Sequence, residues 1–312
     1  MNMMKAIRLH AYGGPEVLVY EDAPRPELTM GEALIHVHAA GVNPVDWKMR
    51  QNGSYPLPFI PGWDISGEVV AVASDVTDIT IGTAVYAMRN FSGGGAYAEY
   101  IAIRAAELAP KPQTLDDVHA AAVPMAALTA WQAIFDAAEL SAGQTILIHG
   151  AAGGIGTFAV QLAHWKGARV IGTASAYNKD MLHDLGTDEF IDYTTARFEQ
   201  VIHKVDVVLD TIGGEARERS WGVLKHGGTL VSTIPTPPSQ EQAAAHHVRG
   251  FSIGVHPSRT QLLEIAQLID TGQVKPIIQS VFPLAQARQA HEVSQQGHTR
   301  GKLVLHVAHD VV

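Results

Sequence analysis

The chain has 312 residues, 46% of them hydrophobic and 17% charged, with 22 Lys and Arg against 31 Asp and Glu for a formal charge of −9. That length accommodates two domains with sizeable cores, and an acidic balance without a Lys/Arg cluster argues against nucleic acid or an anionic membrane surface as a partner. There is no cysteine, which excludes disulfides, thiolate catalysis and Cys-ligated zinc.

The N-terminus, MNMMKAIRLH, runs straight into strand-like sequence with no apolar leader, so the cytoplasm is the expected compartment. Residues 1–123 read as β-rich. Met4–Leu9 and Val17–Tyr20 flank a Gly13-Gly14-Pro15 turn, and Gly31–Gly41 alternates with Ala33, Ile35, Val37 and Ala39 on one face. Gly67–Val72, Ala84–Met88 and Gly93–Ile103 add short strands with glycine punctuation, the pattern of a small barrel. Residues 120–138 are the most apolar long stretch. Pro124, Gln132 and Asp136 interrupt them, which predicts a buried Ala-rich helix and no membrane span. Strands then alternate with helices: Thr145–His149, Ala168–Ala174, Phe190–Tyr193, Val205–Asp210, Thr229–Ile234 and Phe251–Val255. This is the order of a doubly wound parallel sheet in an α/β protein. An amphipathic helix, Arg259–Asp270, precedes two further strand-like pieces, Pro276–Phe282 and Leu303–Val307, expected to return to the first domain.

Between the strand at Thr145–His149 and the helical spacing of Phe158, Leu162 and Trp165 lies Gly150-Ala-Ala-Gly153-Gly154-Ile155-Gly156. A strand, a turn of minimal side chains and a helix form a dinucleotide-binding unit. The backbone can approach a pyrophosphate there, and the helix N-terminus faces its charge. The fit is A-x-G-x-x-G through Ala151, Gly153 and Gly156, a departure at the first position. The second strand ends in Gly172-Thr-Ala-Ser175 and continues Ala176-Tyr-Asn-Lys179, with no carboxylate before Asp180. A ribose 2′-phosphate would meet hydroxyl, amide and amine donors, which favours NADPH over NADH.

Laid out in full, the chain resembles the zinc-independent quinone oxidoreductase branch of the medium-chain dehydrogenase/reductase superfamily. The resemblance is carried by Gly41-Val-Asn-Pro-Val-Asp46, Pro61-Gly-Trp-Asp-Ile-Ser-Gly67, Gly94-Gly-Ala-Tyr-Ala-Glu-Tyr100, Ala126-Ala-Leu-Thr-Ala-Trp-Gln132, the Gly150–Gly156 turn, Asp210-Thr-Ile-Gly-Gly214 and Gly297-His-Thr-Arg-Gly-Lys302. It implies a GroES-like barrel domain (1–123 with 257–312), a Rossmann domain (124–256), NADPH as hydride donor, and a quinone or α,β-unsaturated carbonyl as acceptor. Cofactor contacts are implied at Ala152, Gly153, Gly154, Ile155 and Gly156, with Ser175, Asn178 and Tyr193 near the 2′-phosphate. Thr129, Ile212 and Lys302 are implied as further contacts. Where zinc-dependent members have a Cys ligand and a Gly-His-Glu motif, the resemblance puts Asn43 or a neighbour and Gly62-Trp63-Asp64 in this chain, so no metal is expected.

On the acceptor side the resemblance implies Asn43, Asp46 and Lys48. Asn43 offers a hydrogen bond to a carbonyl oxygen as charge develops, and Asp46 orients the ribose or the loop. Lys48, where many quinone oxidoreductases have Tyr, gives a pattern similar to alkenal/enone reductases. It reads either as a group close to the acceptor carbonyl or as a solvated lysine on a short helix. Lys302 likewise reads as a cofactor contact or as a surface cation at a strand start. Tyr55 and Tyr97 read as aromatic platforms or as core. His36 and His38 share one face of a strand, and solvent exposure explains them without a metal. A homodimer is expected through an apolar edge strand near Phe251–Val255. The other class of answer is a non-catalytic NADPH-binding redox sensor or structural protein on the same fold.

Overall fold

In the computed structural model, which describes residues 2–202 and 204–307, the chain divides into two units. The first comprises Met1–Met125, Pro257–Gly272 and Pro276–Val312; the second comprises Ala126–His256 with Gln273–Lys275. The last short segment joins the second unit because the Gln161 carboxamide holds the Lys275 backbone from both sides, accepting from its N–H at 2.9 Å and donating to its carbonyl at 3.0 Å.

In chain order the elements begin with β1 (Met3–Leu9), β2 (Leu18–Pro24), β3 (Glu32–Val42), α1 (Pro44–Asn52), β4 (Asp64–Val72), β5 (Ala84–Met88), β6 (Tyr100–Arg104), β7 (Ala109–Pro110), α2 (Asp117–Ala121) and α3 (Pro124–Trp131). The parallel-sheet elements follow: β8 (Thr145–His149), α4 (Gly154–Trp165), β9 (Arg169–Ala174), α5 (Lys179–Asp184), β10 (Glu189–Asp192), α6 (Phe198–Val201), β11 (Val205–Asp210), α7 (Gly214–Ser220), β12 (Leu224–Ser232), α8 (Gln240–Ala245) and β13 (Arg249–Ser252). The chain closes with α9 (Arg259–Asp270), β14 (Ile278–Pro283), α10 (Ala287–Gln296) and β15 (Lys302–His306).

The first unit is built on β3. Its alternation buries Ala33, Ile35 and Val37 completely, and it pairs antiparallel with β4, β6 and β15. The seven-stranded sheet runs β14-β15-β3-β4-β5-β7 with β6 against β3. The returning C-terminal strands are thus integral to the sheet that the N-terminal residues begin. Ile35, Val37, Ile65, Val85, Ile101, Leu303 and Leu305 share its core. His36 stacks on the Tyr100 ring at 4.8 Å, and His38 Nδ1 lies 2.9 Å from the Asp117 carboxylate. Both imidazoles therefore have partners that alternation alone did not supply.

The second unit carries a six-stranded, wholly parallel sheet in the order β10-β9-β8-β11-β12-β13. The first strand of the unit lies at the middle and the order reverses beside it, which is the doubly wound arrangement. Central strands are buried on both faces, hence the apolar runs Ile146–Ile148 of β8 and Val207–Leu209 of β11.

Three local departures have simple causes. The stretch 120–138 is two α-helices and a π-helical segment, Gln132–Ala137, because Pro124 has no N–H to continue α2 and instead opens α3. β12 starts at Leu224 and stops at Ser232, short of Ile234, whose N–H is taken by the Ser232 hydroxyl at 3.2 Å. α10 was not anticipated; its buried Ala287, Ala290 and His291 follow helical spacing, but with too few large apolar residues to stand out. Among the described residues no helix is long and apolar enough to cross a membrane.

His149, at the end of β8, is buried between two hydroxyls, with Nδ1 3.1 Å from Thr173 Oγ1 and Nε2 2.9 Å from Ser220 Oγ. The Ser220 hydroxyl donates to the Ala216 carbonyl, so Nε2 carries the proton and the ring is neutral. Burial lowers its pKa from 6.5 to about 4. Between those values the unfolded chain binds the proton that the folded ring refuses. The stability that this group contributes is therefore complete above pH 6.5 and lost as pH falls towards 4, up to on the order of 3 kcal/mol. We expect denaturant titrations at pH 7.5 and 5.0 to show wild type losing more stability on acidification than His149→Asn.

Candidate active site

The Gly150–Gly156 turn follows β8 directly and ends as the first turn of α4. Gly150 has φ +67°, and a Cβ there would meet the Thr211 hydroxyl and come 3.0 Å from Ile212 Cδ1. Ile212 thus adjoins the turn. A Cβ on Gly156 would overlap the Gly150 carbonyl oxygen and lie 2.6 Å from Ala151 Cα, so only glycine lets α4 start this close to the strand. Gly153 is the N-cap of α4 with no side chain above the helix end, leaving the first N–H groups open to an anion. Ala151 is wholly buried, where its methyl lies 3.1 Å from the Cβ position of Gly172 on β9. Packing against the neighbouring strand accounts for alanine at the departing position of the motif.

At the end of β9, Ser175 Oγ accepts from Asn178 Nδ2 at 3.1 Å, and the Tyr193 N–H bonds the Ala174 carbonyl at 3.3 Å. Ser175, Asn178 and Tyr193 are thereby gathered at adjoining strand ends, with Tyr193 half exposed. The carboxylate at the end of β10, Asp192, is turned onto the Thr194 N–H and hydroxyl at 2.9 and 2.7 Å. Thr129 is buried within α3.

The first unit carries a buried polar cluster at the junction of β3, β4 and β15. Asn43, which leads from β3 into α1, is 4% exposed, Lys302 is 3% exposed, and Asp46 and Asp64 are not exposed at all. Lys302 Nζ donates to the Val42 carbonyl at 3.0 Å and to Asn43 Oδ1, and lies 3.9 Å from Asp64 Oδ2. Asn43 Nδ2 donates to Asp64 Oδ2 at 2.9 Å, and Asp64 Oδ1 accepts from the Met125 N–H at 2.9 Å. The Asp46 carboxylate reaches back to the Asn43 N–H at 2.8 Å, the return bond of a capping box, and accepts the Tyr97 hydroxyl at 2.5 Å. Tyr97 in turn touches His291 Nε2 at 3.3 Å, and Arg50 stands 3.5 Å from His291 Nδ1.

Burial governs the charges here. It pushes Asp46 up to about 7 and Asp64 up to about 6, each held down in part by Lys302. It lowers Lys302, opposed by Asp64 and Asp46, and drops His291 to about 3, helped by Arg50. One ammonium shared by two carboxylates leaves a site that favours retaining a proton near neutrality.

The sequence reading of Lys302 as a surface cation is overturned, since it is among the most deeply buried charges of the chain. Tyr97 takes the core alternative, being wholly buried with its hydroxyl donated to the Asp46 carboxylate. Tyr55 stacks on Phe59 at 4.4 Å and lines an open cleft of about 390 Å³. Lys48 does not join the cluster; it lies exposed on α1, with Nζ 5.5 Å from the Trp47 ring. Asp64, His291 and Arg50 were not singled out as site residues. The available signal was the carboxylate that opens β4 among buried residues, where the strand's other carboxylate, Glu68, is exposed.

Comparison with known proteins places this arrangement. Residues 29–113 match the family described as Alcohol dehydrogenase GroES-like domain, and residues 185–305 the one described as Zinc-binding dehydrogenase. The quinone oxidoreductase of Mus musculus is 33% identical over 97% of this chain and 98% of its own. The chain belongs to the medium-chain dehydrogenase/reductase superfamily, in its quinone and alkenal/one oxidoreductase branch. An NADPH-dependent alkenal/one oxidoreductase of Arabidopsis thaliana is 36% identical over 97% of this chain and 79% of its own. The solved quinone oxidoreductase of Coxiella burnetii, at 36% identity, has a TM-score of 0.92 and covers 98% of this chain and 100% of that one. As a member of that branch the protein is an oxidoreductase, with a GroES-like unit and a Rossmann-like parallel sheet.

The turn gives a direct test. Gly156→Val should destabilise the protein by about 1–3 kcal/mol through overpacking. It should also weaken binding of a reduced nicotinamide cofactor, read by its fluorescence, by about tenfold, the equivalent of 1.4 kcal/mol.

Proposed function

We propose that this protein is an NADPH-dependent, zinc-independent reductase that passes hydride to a quinone or to the β-carbon of an α,β-unsaturated carbonyl. The observation that carries the reading is the Asn43 carboxamide, bonded to a lysine ammonium and a carboxylate. Two positions that zinc-dependent members use for metal ligands hold Asn43 and an indole, Trp63. The adjacent Asp64 already faces the Lys302 cation. That donor set suits hydrogen bonding to an oxyanion and does not suit a divalent metal. Among the described residues, no group of three or more His, Asp and Glu is placed to hold a metal ion.

NADPH supplies the hydride when bound. The Gly150–Gly156 turn and the α4 N-terminus are suited to its pyrophosphate, with Ala152, Gly154, Ile155 and Ile212 beside it. Ser175, Asn178 and Tyr193 supply donors for a 2′-phosphate, and Asp192 is turned away onto Thr194. Thr129 is assigned to the nicotinamide end. On the acceptor, the electron pair delivered with the hydride ends as negative charge on the carbonyl oxygen. Asn43 Nδ2–H stabilises that charge, and a proton from water completes the reduction. Asp46 fixes the backbone of the Asn43 loop.

NADPH oxidation should be detectable with an o-quinone and a long-chain 2-alkenal, and slower with NADH; absence of turnover with either acceptor would sink the proposal. Lys48→Ala run alongside decides the exposed lysine: alkenal turnover that collapses in the variant assigns Lys48 to the chemistry, and unchanged turnover makes it a surface residue. We further propose a homodimer through β13, one of the two edge strands of the parallel sheet, where Phe251 is 41% exposed. Light scattering at low micromolar concentration should return twice the chain mass, and a monomer mass would refute it.

A further inference from the structure

The Asn43 carboxamide has two ends that X-ray density rarely distinguishes, yet its partners dictate which is which. A lysine ammonium only donates and an ionised carboxylate only accepts. The end facing Lys302 must therefore be the oxygen, and the end facing Asp64 must be the nitrogen. Lys302 and Asp64 are each anchored independently of Asn43, the first on the Val42 carbonyl and the second on the Met125 N–H. Neither is exposed enough for water to substitute. Of the two Nδ2 protons one goes to Asp64, and the other has no partner among the described residues.

We infer that Lys302 and Asp64 are positioning residues: together they lock the Asn43 carboxamide in one of its two flips and leave a single Nδ2–H directed to the acceptor oxygen. The inference rests on the reading of Asn43 as the donor to the acceptor, and it moves Lys302 from the cofactor to the polarising group. A carboxamide free to flip would present its oxygen to a developing oxyanion for part of the time, a repulsive contact in place of a bond. An amide flanked by a fixed donor and a fixed acceptor does not flip. Preorganisation of this kind affects the transition state more than substrate binding.

The test is a double-mutant cycle. Lys302→Met should lower kcat by about 10- to 100-fold, at most the lower end of the cost of losing one oxyanion donor outright. KM and the NADPH dissociation constant should stay within about twofold. Lys302→Arg, which still donates to Asn43 Oδ1, should recover most of the rate. In an Asn43→Ala background, Lys302→Met should have almost no further effect, because there is no amide left to position. Independent losses in that background, or a large rise in the NADPH dissociation constant, would overturn the inference and return Lys302 to the cofactor. Should Lys302→Met fail to fold for want of a counter-charge, the same cycle with Asp64→Asn replaces it.

A second readout needs no turnover. The side-chain 1H–15N pair of Asn43, assigned by its disappearance in Asn43→Ala, should show slow hydrogen exchange in wild type and faster exchange with a shifted resonance in Lys302→Met or Asp64→Asn. Protection with no turnover on any acceptor would sink the proposed function and leave the lock standing. Turnover with an unprotected amide, unmoved by either variant, would do the reverse.

Discussion

One buried ammonium ties the last strand of the first unit to the end of β3. Lys302 begins the last strand of the sheet, and its Nζ reaches Asn43, 259 positions earlier, and Val42 beside it. Taking a lysine and two aspartates out of water is costly. The arrangement is tolerable only because each charge finds an opposite charge or several fixed dipoles. The demand runs in both directions. β15 must pair with β3 in a register that brings Lys302 to the end of β3, and α1 must leave that strand at the angle that turns Asp46 inward. The polar cluster is therefore a constraint on sheet register as much as a place for chemistry, and a one-residue slip of β15 would put its ammonium on the opposite face.

The second unit solves a different problem with almost no side chains. Its cofactor turn consists of residues whose absence of bulk is the active property, and the geometry comes from β8, α4 and the closeness of β9. In the proposed reaction the backbone here would do the binding, whereas in the first unit buried side chains would set up the chemistry. Specificity for the phosphate end of the nucleotide and polarisation of the acceptor are thus assigned to separate parts of the sequence, each with its own supporting structure.

The difference explains what could be read from the sequence. The parallel sheet, the glycine turn and even the bounds of β5, β8, β11 and α9 are visible because periodicity and glycine spacing are local properties. Membership of the superfamily was equally visible in motifs scattered along the chain. What stayed hidden was non-local. No local pattern says that Lys302 is buried; after Arg300-Gly301 it looks like any cation at a strand start, and only its pairing partner supplies the reason to bury it. Tyr97 and His291 were hidden likewise, since their partners lie 51 and 194 positions away. The buried Ala-rich helix expected over 120–138 is present from Pro124 onward, and the proline already noted there separates it from α2.

The strand order carries a consequence for how the chain is made. β14 and β15 complete the sheet begun by β3, while nearly all of the second unit is one continuous segment between them. On the ribosome, the N-terminal sheet waits, with Asp46 and Asp64 lacking their cation, until more than two hundred further residues have been translated. The parallel sheet needs nothing from β14 or β15 and can reach its native order first. The half of the protein synthesised earlier is thus the half whose sheet is completed later, with an edge of β3 left unpaired until β15 arrives.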